Sequence, residues 1–235
     1  MMREKFSVVI ITKNEEKFIA DAINSASFAD EILVLDSGSS DKTEVICKSM
    51  NINFIYQEWL GFGAQKNKAI NLAKNDWIFV LDADERITED LKIEILEKLK
   101  DHSKKSYFVP RLNNFFGKDI RFCGLYPDYS IRLFNRNHGE FSNVAVHESF
   151  KTKVSTEKLE NHIYHLAYSS VKEFKQKQNF YSSLSDVKRN FLRGFFSALW
   201  AFLKIYFIKL GFLEGWRGIV IAAIYSKYSF NKYFR

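Results

Sequence analysis

The sharpest chemistry in the chain is a pair of carboxylates. Asp82 and Asp84 stand two residues apart, directly after the apolar run Trp77–Leu81, within WIFVLDADE. Side chains two apart on an extended strand project to the same side. Hard oxygens so placed suit Mg²⁺ or Mn²⁺, cations that keep open positions for phosphate oxygens. A DxD alone is common; one that ends an apolar strand is not. Two more apolar runs finish in polar clusters, Thr12-Lys13-Asn14-Glu15 and Asp36-Ser37-Gly38-Ser39. Each acidic residue taken singly reads as a helix N-cap or a turn former, and Asp41 is assigned the cap of the helix that follows it. Together, three carboxylate-bearing strand ends describe a rim for a cation or for the hydroxyls of a sugar or a base.

The elements that must carry this rim are legible in the alternation. Apolar runs at Phe6–Thr12, Glu31–Leu35, Ile52–Tyr56 and Trp77–Leu81 interleave with helix-like stretches at Glu15–Phe28, Asp41–Ser49, Ala64–Lys74 and Glu89–Lys100. Such alternation predicts an α/β fold with a mostly parallel sheet and helices on both faces. Near-continuous apolar strands are what a doubly covered sheet requires. Its ligands bind outside the carboxyl ends of the strands, where the polar clusters fall. From Tyr107 to about His165, short aromatic segments broken by Asn, Gly and Pro read as irregular strands and loops laid over one side of the sheet. From Val171 the chain is Pro-free and helix-like, with Gly194, Gly211, Gly215 and Gly218 as expected breaks. The expected organisation is a catalytic α/β domain over residues 1–169 and a helical segment over 170–235.

The segments SVVIITKNEE, EILVLDSGSSDKT, GFGAQKNKAI and WIFVLDADERI, followed by YPDYSIRLFNR, NVAVHESF and HIYHLAYSS, run through nearly the whole chain. In them the chain resembles the family 2 inverting glycosyltransferases of GT-A fold. Within that family it is similar to the lipopolysaccharide-core β-1,4-glucosyltransferases that act on inner-core heptose. The resemblance implies a UDP-glucose donor, a lipid-linked saccharide acceptor and Mg²⁺ or Mn²⁺. It sets Thr12, Asn14 and Glu15 near the nucleotide. Asp36 and Ser37 fall at the uracil-binding position, where many relatives carry Asp-Asp. Lys66 and Asn67 match a basic-polar pair on the helix before the DxD strand. Asp82, followed by Ala83, would face the ribose or the metal, and Asp84 the metal itself. His165 is a candidate late metal ligand or a packed, hydrogen-bonded histidine; His162 reads as structural.

The chemistry of that reaction agrees with those roles. A departing nucleoside diphosphate needs its charge stabilised by a Lewis-acidic cation, and Lys66 or Arg132 is a candidate second positive group. Inversion needs one general base at the acceptor hydroxyl. Glu148 in VAVHESF is the candidate and His147 the alternative. The HExxH reading fails because its fifth residue is Lys151.

Other motifs are absent. Gly61-Phe62-Gly63 opens like a dinucleotide fingerprint, but position 66 is Lys, and neither GxxxxGK[ST] nor GxSxG occurs. The cysteines, Cys47 and Cys123, are too few for a disulfide framework and fit a reducing cytoplasm. The apolar stretch after Arg3 and Lys5 is too short for a signal peptide core.

Charge is partitioned. Residues 170–235 hold 12 Lys and Arg against 3 Asp and Glu, a net of +9, while the remainder holds 23 against 25. That basic quarter also contains GFFSALWAFLKIYFIKLGFL, interrupted by Lys204 and Lys209. A Lys at a helix centre costs roughly 2.5–3.5 kcal/mol on insertion, which disfavours a span. A helix lying in the interface, with Trp200, Phe202 and Phe207 in the lipid and Lys heads at anionic head groups, is easier. WRGIVIAAIYSKY would pair with it. The alternative is a helical hairpin packed on its own domain or on another copy, giving an oligomer. Nucleic acid is excluded by the apolar content. The expected setting is peripheral, on the cytoplasmic face of a bacterial inner membrane. Rival readings are another UDP-sugar, a polyprenyl-linked acceptor, or a membrane-docked nucleotide-sugar module without catalysis. Asp82, Asp84 and Glu148 count against the last.

Overall fold

The computed structural model describes residues 3–100, 105–142, 149–183 and 189–233. The first half alternates as its apolar periodicity requires. β1 (Phe6–Thr12), α1 (Ile19–Ser25), β2 (Glu31–Asp36), α2 (Thr43–Ser49), β3 (Asn53–Tyr56), α3 (Phe62–Leu72), β4 (Trp77–Asp82), β5 (Glu85–Ile87) and α4 (Glu89–Lys98) follow in order. β6 (Ser106–Phe115), β7 (Lys118–Ile120), β8 (Asp128–Asn135), β9 (Gly139–Phe141), β10 (Phe150–Thr152), β11 (Thr156–Lys158) and β12 (Ile163–Tyr168) come next. Three helices close the chain: α5 (Val171–Ser183), α6 (Phe191–Leu203) and α7 (Trp216–Asn231).

The chain divides into two compact units, Met1–Arg111 with Tyr129–His165, and Leu112–Asp128 with Leu166–Arg235. The sequence suggests a single division after residue 169; the second unit also includes 112–128.

In the first unit β3, β2, β1 and β4 lie side by side and parallel. Alternate residues of β1 serve opposite faces. Val8 and Ile10 join Ile19, Ile23, Leu91 and Ile95 in one core, whereas Val9 joins Leu33, Ala69, Ile70 and Phe134 in the other. Helices therefore cover both faces, which is why these strands are apolar throughout. Thr88 caps α4, its hydroxyl accepting the Leu91 N–H at 3.3 Å.

The region after Tyr107 departs from expectation. Rather than all lying over the sheet, β6, β8 and β12 extend it, with β7 and β11 paired to β6, while β9 and β10 form a separate two-stranded sheet. β8 pairs antiparallel with β4 (Trp77 opposite Asn135, Phe79 opposite Leu133), and the sheet continues through β6 and β12 to β5. An apolar strand such as β4 cannot leave one edge unpaired without exposing its backbone groups. Gly117, Gly124 and Pro127 sit in the connections, whereas Pro110, Asn113 and Asn114 lie within β6 itself, which is why that strand was obscured.

The second unit packs Phe115, Ile120, Cys123, Phe174 and Ile221 into its own core. Glu214, nearly fully buried, accepts the N–H groups of Arg121 and Phe122 at 2.9 and 3.0 Å and pairs with Lys118 at 2.8 Å. Both cysteine thiols are buried and reduced; burial pushes Cys47 up to about 11 and Cys123 up to about 12, so neither is a reactive thiolate. Only two of the four expected glycine breaks are breaks. α6 passes through a wider turn at Lys204–Ile208, and the chain reverses between Leu210 and Gly215, both at positive φ. Gly218 lies inside α7 because a Cβ there would collide with the Gly211 carbonyl. Gly194 lies inside α6, against Tyr233 and Phe230.

Candidate active site

Strand register assembles the rim. Thr12 stands opposite Asp36 across β1 and β2, and Ile11 opposite Asp82 across β1 and β4, so three strand ends arrive at one level. The first two loops are tied together. Ser37 donates its N–H to the Thr12 carbonyl at 2.9 Å. Asn14, at φ 57°, donates its N–H to the Ser39 hydroxyl, and its side-chain oxygen accepts the Ser40 N–H, both at 2.8 Å. Glu15 donates its N–H to the Thr43 hydroxyl at 2.9 Å. Asp41 stands one residue before the cap position, which Lys42 occupies, and accepts the N–H groups of Thr43 and Glu16 at 3.0 Å, tying the loop ahead of α2. The Thr12 hydroxyl is buried and finds no hydrogen-bond partner among the described residues. A polar atom so orphaned at a rim asks for a ligand.

Asp36 is turned onto its own loop. One carboxylate oxygen accepts the N–H groups of Gly38 and Ser39 at 2.8 Å, and the Ser39 hydroxyl donates to the other at 2.5 Å. Ser37, beside it, accepts from the Gln65 amide at 3.1 Å. Gln65 is wholly buried and also takes the Leu60 N–H, which braces the exposed loop carrying Trp59.

Beneath the DxD lies a charge network. Lys66 Nζ is 3.9 Å from Asp82 Oδ1 and 5.3 Å from the Phe141 ring centroid. Arg132, on β8, reaches Asp82 Oδ2 at 3.1 Å and Glu85 Oε1 at 2.6 Å. Glu85, fully buried, accepts the Asp82 N–H at 3.0 Å and lies 3.5 Å from Arg111. Burial by itself would raise the Asp82 carboxyl, but Lys66 and Arg132 outweigh it and hold Asp82 far below the usual carboxylate range. Burial likewise opposes the Arg132 charge, and Glu85 with Asp82 overcomes it. Asp82 is therefore a clamped anion, and Arg132 is committed to two carboxylates.

Asp84 is differently placed. It occupies the tight turn between β4 and β5 with Ala83, which is buried and whose carbonyl accepts from Arg86 at 3.1 Å. β12 pairs antiparallel with β5 and sets His165 opposite Glu85. His165 Nε2 then lies 3.2 Å from Asp84 Oδ2. One imidazole and one carboxylate at the rim suit a divalent cation whose other ligands come from phosphate and water; among the described residues, no three metal-ligating side chains converge.

Asn67 does not face this rim. Its amide donates to the Phe141 carbonyl at 2.8 Å and accepts the Phe141 N–H at 2.9 Å, a clasp on β9. Glu148 and His147 lie outside the described residues. Glu85, Gln65 and Arg111 were missed in the sequence. Glu85 directly follows the DxD and Gln65 directly precedes Lys66, but neither type has a signature apart from its partners.

Comparison with known proteins agrees with this geometry. The profile described as Glycosyl transferase family 2 matches residues 7–155. An uncharacterized glycosyltransferase of Rickettsia bellii is 32% identical over 96% of this chain and 84% of its own length. A protein of Rhizobium meliloti described as lipopolysaccharide core biosynthesis glycosyltransferase LpsC is 28% identical over 92% of this chain and 88% of its own. Among solved structures, S. aureus TarS superposes with a TM-score of 0.50 at 18% identity, over 76% of this chain and 39% of its own, a likeness of fold.

Proposed function

The chain belongs to glycosyltransferase family 2, and from that premise we propose that it transfers glucose from UDP-glucose, with inversion, to a lipid-linked saccharide, an inner-core heptose of lipopolysaccharide. The observation that carries the donor half is the Asp84–His165 pair beside the clamped Asp82. Asp84 and His165 would hold Mn²⁺ or Mg²⁺, which supplies Lewis acidity to the departing diphosphate. Lys66, held at Asp82 by strand and helix, brings positive charge to the same rim. The unpartnered Thr12 hydroxyl offers a hydrogen bond to the nucleotide. Arg132 acts through Asp82 rather than on phosphate, because its guanidinium is already engaged. Glu148 takes the proton of the acceptor hydroxyl on the face opposite the leaving group.

The acceptor half draws support from the Rhizobium meliloti relative's description and from α6. Phe191–Ile208 is long and apolar enough to cross a membrane by length and composition, with mean hydropathy 1.5 and only 6% of it buried. A position in the membrane surface fits better. The chain after α6 is tied back, with the Lys209 carbonyl accepting the Cys123 N–H at 2.9 Å. α7 then returns along α6 bearing Arg217 and Lys227. Phe195, Phe196, Leu199 and Trp200 remain exposed for a leaflet. The protein then works as a peripheral enzyme on the cytoplasmic face of the inner membrane.

The test is a donor screen with Mn²⁺ against membrane extracts lacking outer-core sugars, read by mass spectrometry. A gain of one hexose on lipopolysaccharide from UDP-glucose is expected. Transfer from a different UDP-sugar, or to a polyprenyl-linked glycan alone, would replace this reading.

A further inference from the structure

α5 and α7 meet through Phe174, Ile221 and Tyr225, with Phe174 and Tyr225 ring centroids 5.5 Å apart. Beside that contact they leave a groove of about 260 Å³. Its floor is Val171, Val220, Ala223 and Ile224, and its polar lining includes Lys175 and Lys227; no carboxylate lines it. Neither lysine has an ion pair among the described residues, and both are exposed. On α7, Trp216, Val220, Ala223 and Lys227 recur at intervals of four, three and four, so they form one stripe. That stripe is about 16 Å long at ~1.5 Å per residue, close to half of a roughly 30 Å hydrocarbon core. Its Trp216 end, half exposed, continues into exposed Phe212, Leu213 and Ile219. The groove is thus cationic at one end and joined to an apolar surface at the other.

We propose that this groove binds one anionic phospholipid of the leaflet, with its phosphate between Lys175 and Lys227 and an acyl chain along Val220, Ala223 and Ile224. The inference rests on the membrane-surface reading above and adds to it a discrete site. A diffuse basic surface attracts head groups without regard to stoichiometry; a groove with an apolar floor holds one molecule. Zwitterionic lipid lacks the net negative charge that two lysines lining one groove select.

Native mass spectrometry of the full chain in non-ionic detergent, with dioleoylphosphatidylglycerol or dioleoylphosphatidylcholine added, tests this. One retained phosphatidylglycerol is expected, and no retained phosphatidylcholine. Ala223→Trp, at an exposed position, fills the floor without changing charge and should abolish the adduct while leaving sedimentation with phosphatidylglycerol vesicles unchanged. Lys175→Glu with Lys227→Glu should weaken the adduct by at least about thirtyfold. Lys172→Glu with Lys68→Glu makes the same charge change outside the groove and should leave it within about twofold. An adduct that survives Ala223→Trp, an equal loss in the control pair, or equal retention of both lipids overturns the groove. Vesicle binding without any adduct overturns the groove alone, whereas a wild type that ignores vesicles overturns the membrane reading with it.

Discussion

Arg132→Met separates two roles that the same arginine could have. Methionine keeps much of the length and removes the charge. The guanidinium now bridges Asp82 at 3.1 Å and Glu85 at 2.6 Å, and Glu85 is wholly buried. Its loss leaves Asp82 with Lys66 at 3.9 Å and Glu85 with Arg111 at 3.5 Å, both looser contacts. Breaking a buried ion pair from one side costs about 3–5 kcal/mol. For a unit of this size each kcal/mol shifts Tm by about 2–4 °C, so a fall of about 6–20 °C follows. The pH dependence has a definite sign. Asp82 is depressed in the folded state, so its contribution is present above the unfolded carboxyl value and is lost as pH falls through the folded one. With one of its three cations gone, Lys66 and Arg111 remaining, Asp82 rises and the acid limb of stability flattens. The assay is a thermal melt from about pH 2 to pH 8, which spans the acid window where the Asp82 contribution is lost, paired with UDP binding by calorimetry. A melt within 2 °C of wild type, with UDP affinity reduced, would refute the clamp and return Arg132 to the phosphates.

Asp84→Ala, and EDTA on the wild type, should each abolish transfer; full activity in EDTA would remove the metal from the reaction. Glu148→Gln should remove nearly all turnover while UDP-glucose affinity stays within a few-fold, and survival of turnover with loss in His147→Ala would move the base to His147. Lys204→Glu with Lys209→Glu should weaken sedimentation with anionic vesicles and transfer to lipid acceptor but spare donor hydrolysis; unchanged vesicle binding would assign the apolar face of α6 to another copy of the chain. Burial works against the Glu214 charge, but Lys118 and two backbone N–H groups hold its carboxyl below the ordinary 4.5. Its stabilisation is therefore complete above that value and fades as pH falls through the folded pKa, and Glu214→Gln should flatten urea-unfolding stability across that acid window.

The parallel half of the sheet was legible because its information is local. Val8, Val9 and Ile10 are all apolar because each face of β1 meets a helix layer, and the polar clusters fall where those runs stop. The DxD at a strand end was readable for the same reason. His165 was readable only as one of two histidines in HIYHLAY; its neighbour Asp84 is 81 positions earlier. The rest depends on partners that no window contains. Arg132 looked like a phosphate ligand because an arginine near a nucleotide site usually has a free fork, and only the pairing of β8 with β4 engages it with Asp82 and Glu85. Asn67 looked like a site residue until β9 came under its amide. Gly218 looked like a helix break, whereas the Gly211 carbonyl lying against it makes it a contact. Composition and period thus determined the parallel half of the sheet, the strand ends at its rim and the basic apolar tail. Strand neighbours and register decided which charges neutralise one another, because electrostatic partnership is a property of distance in space, and antiparallel pairing brings together residues that the chain keeps far apart.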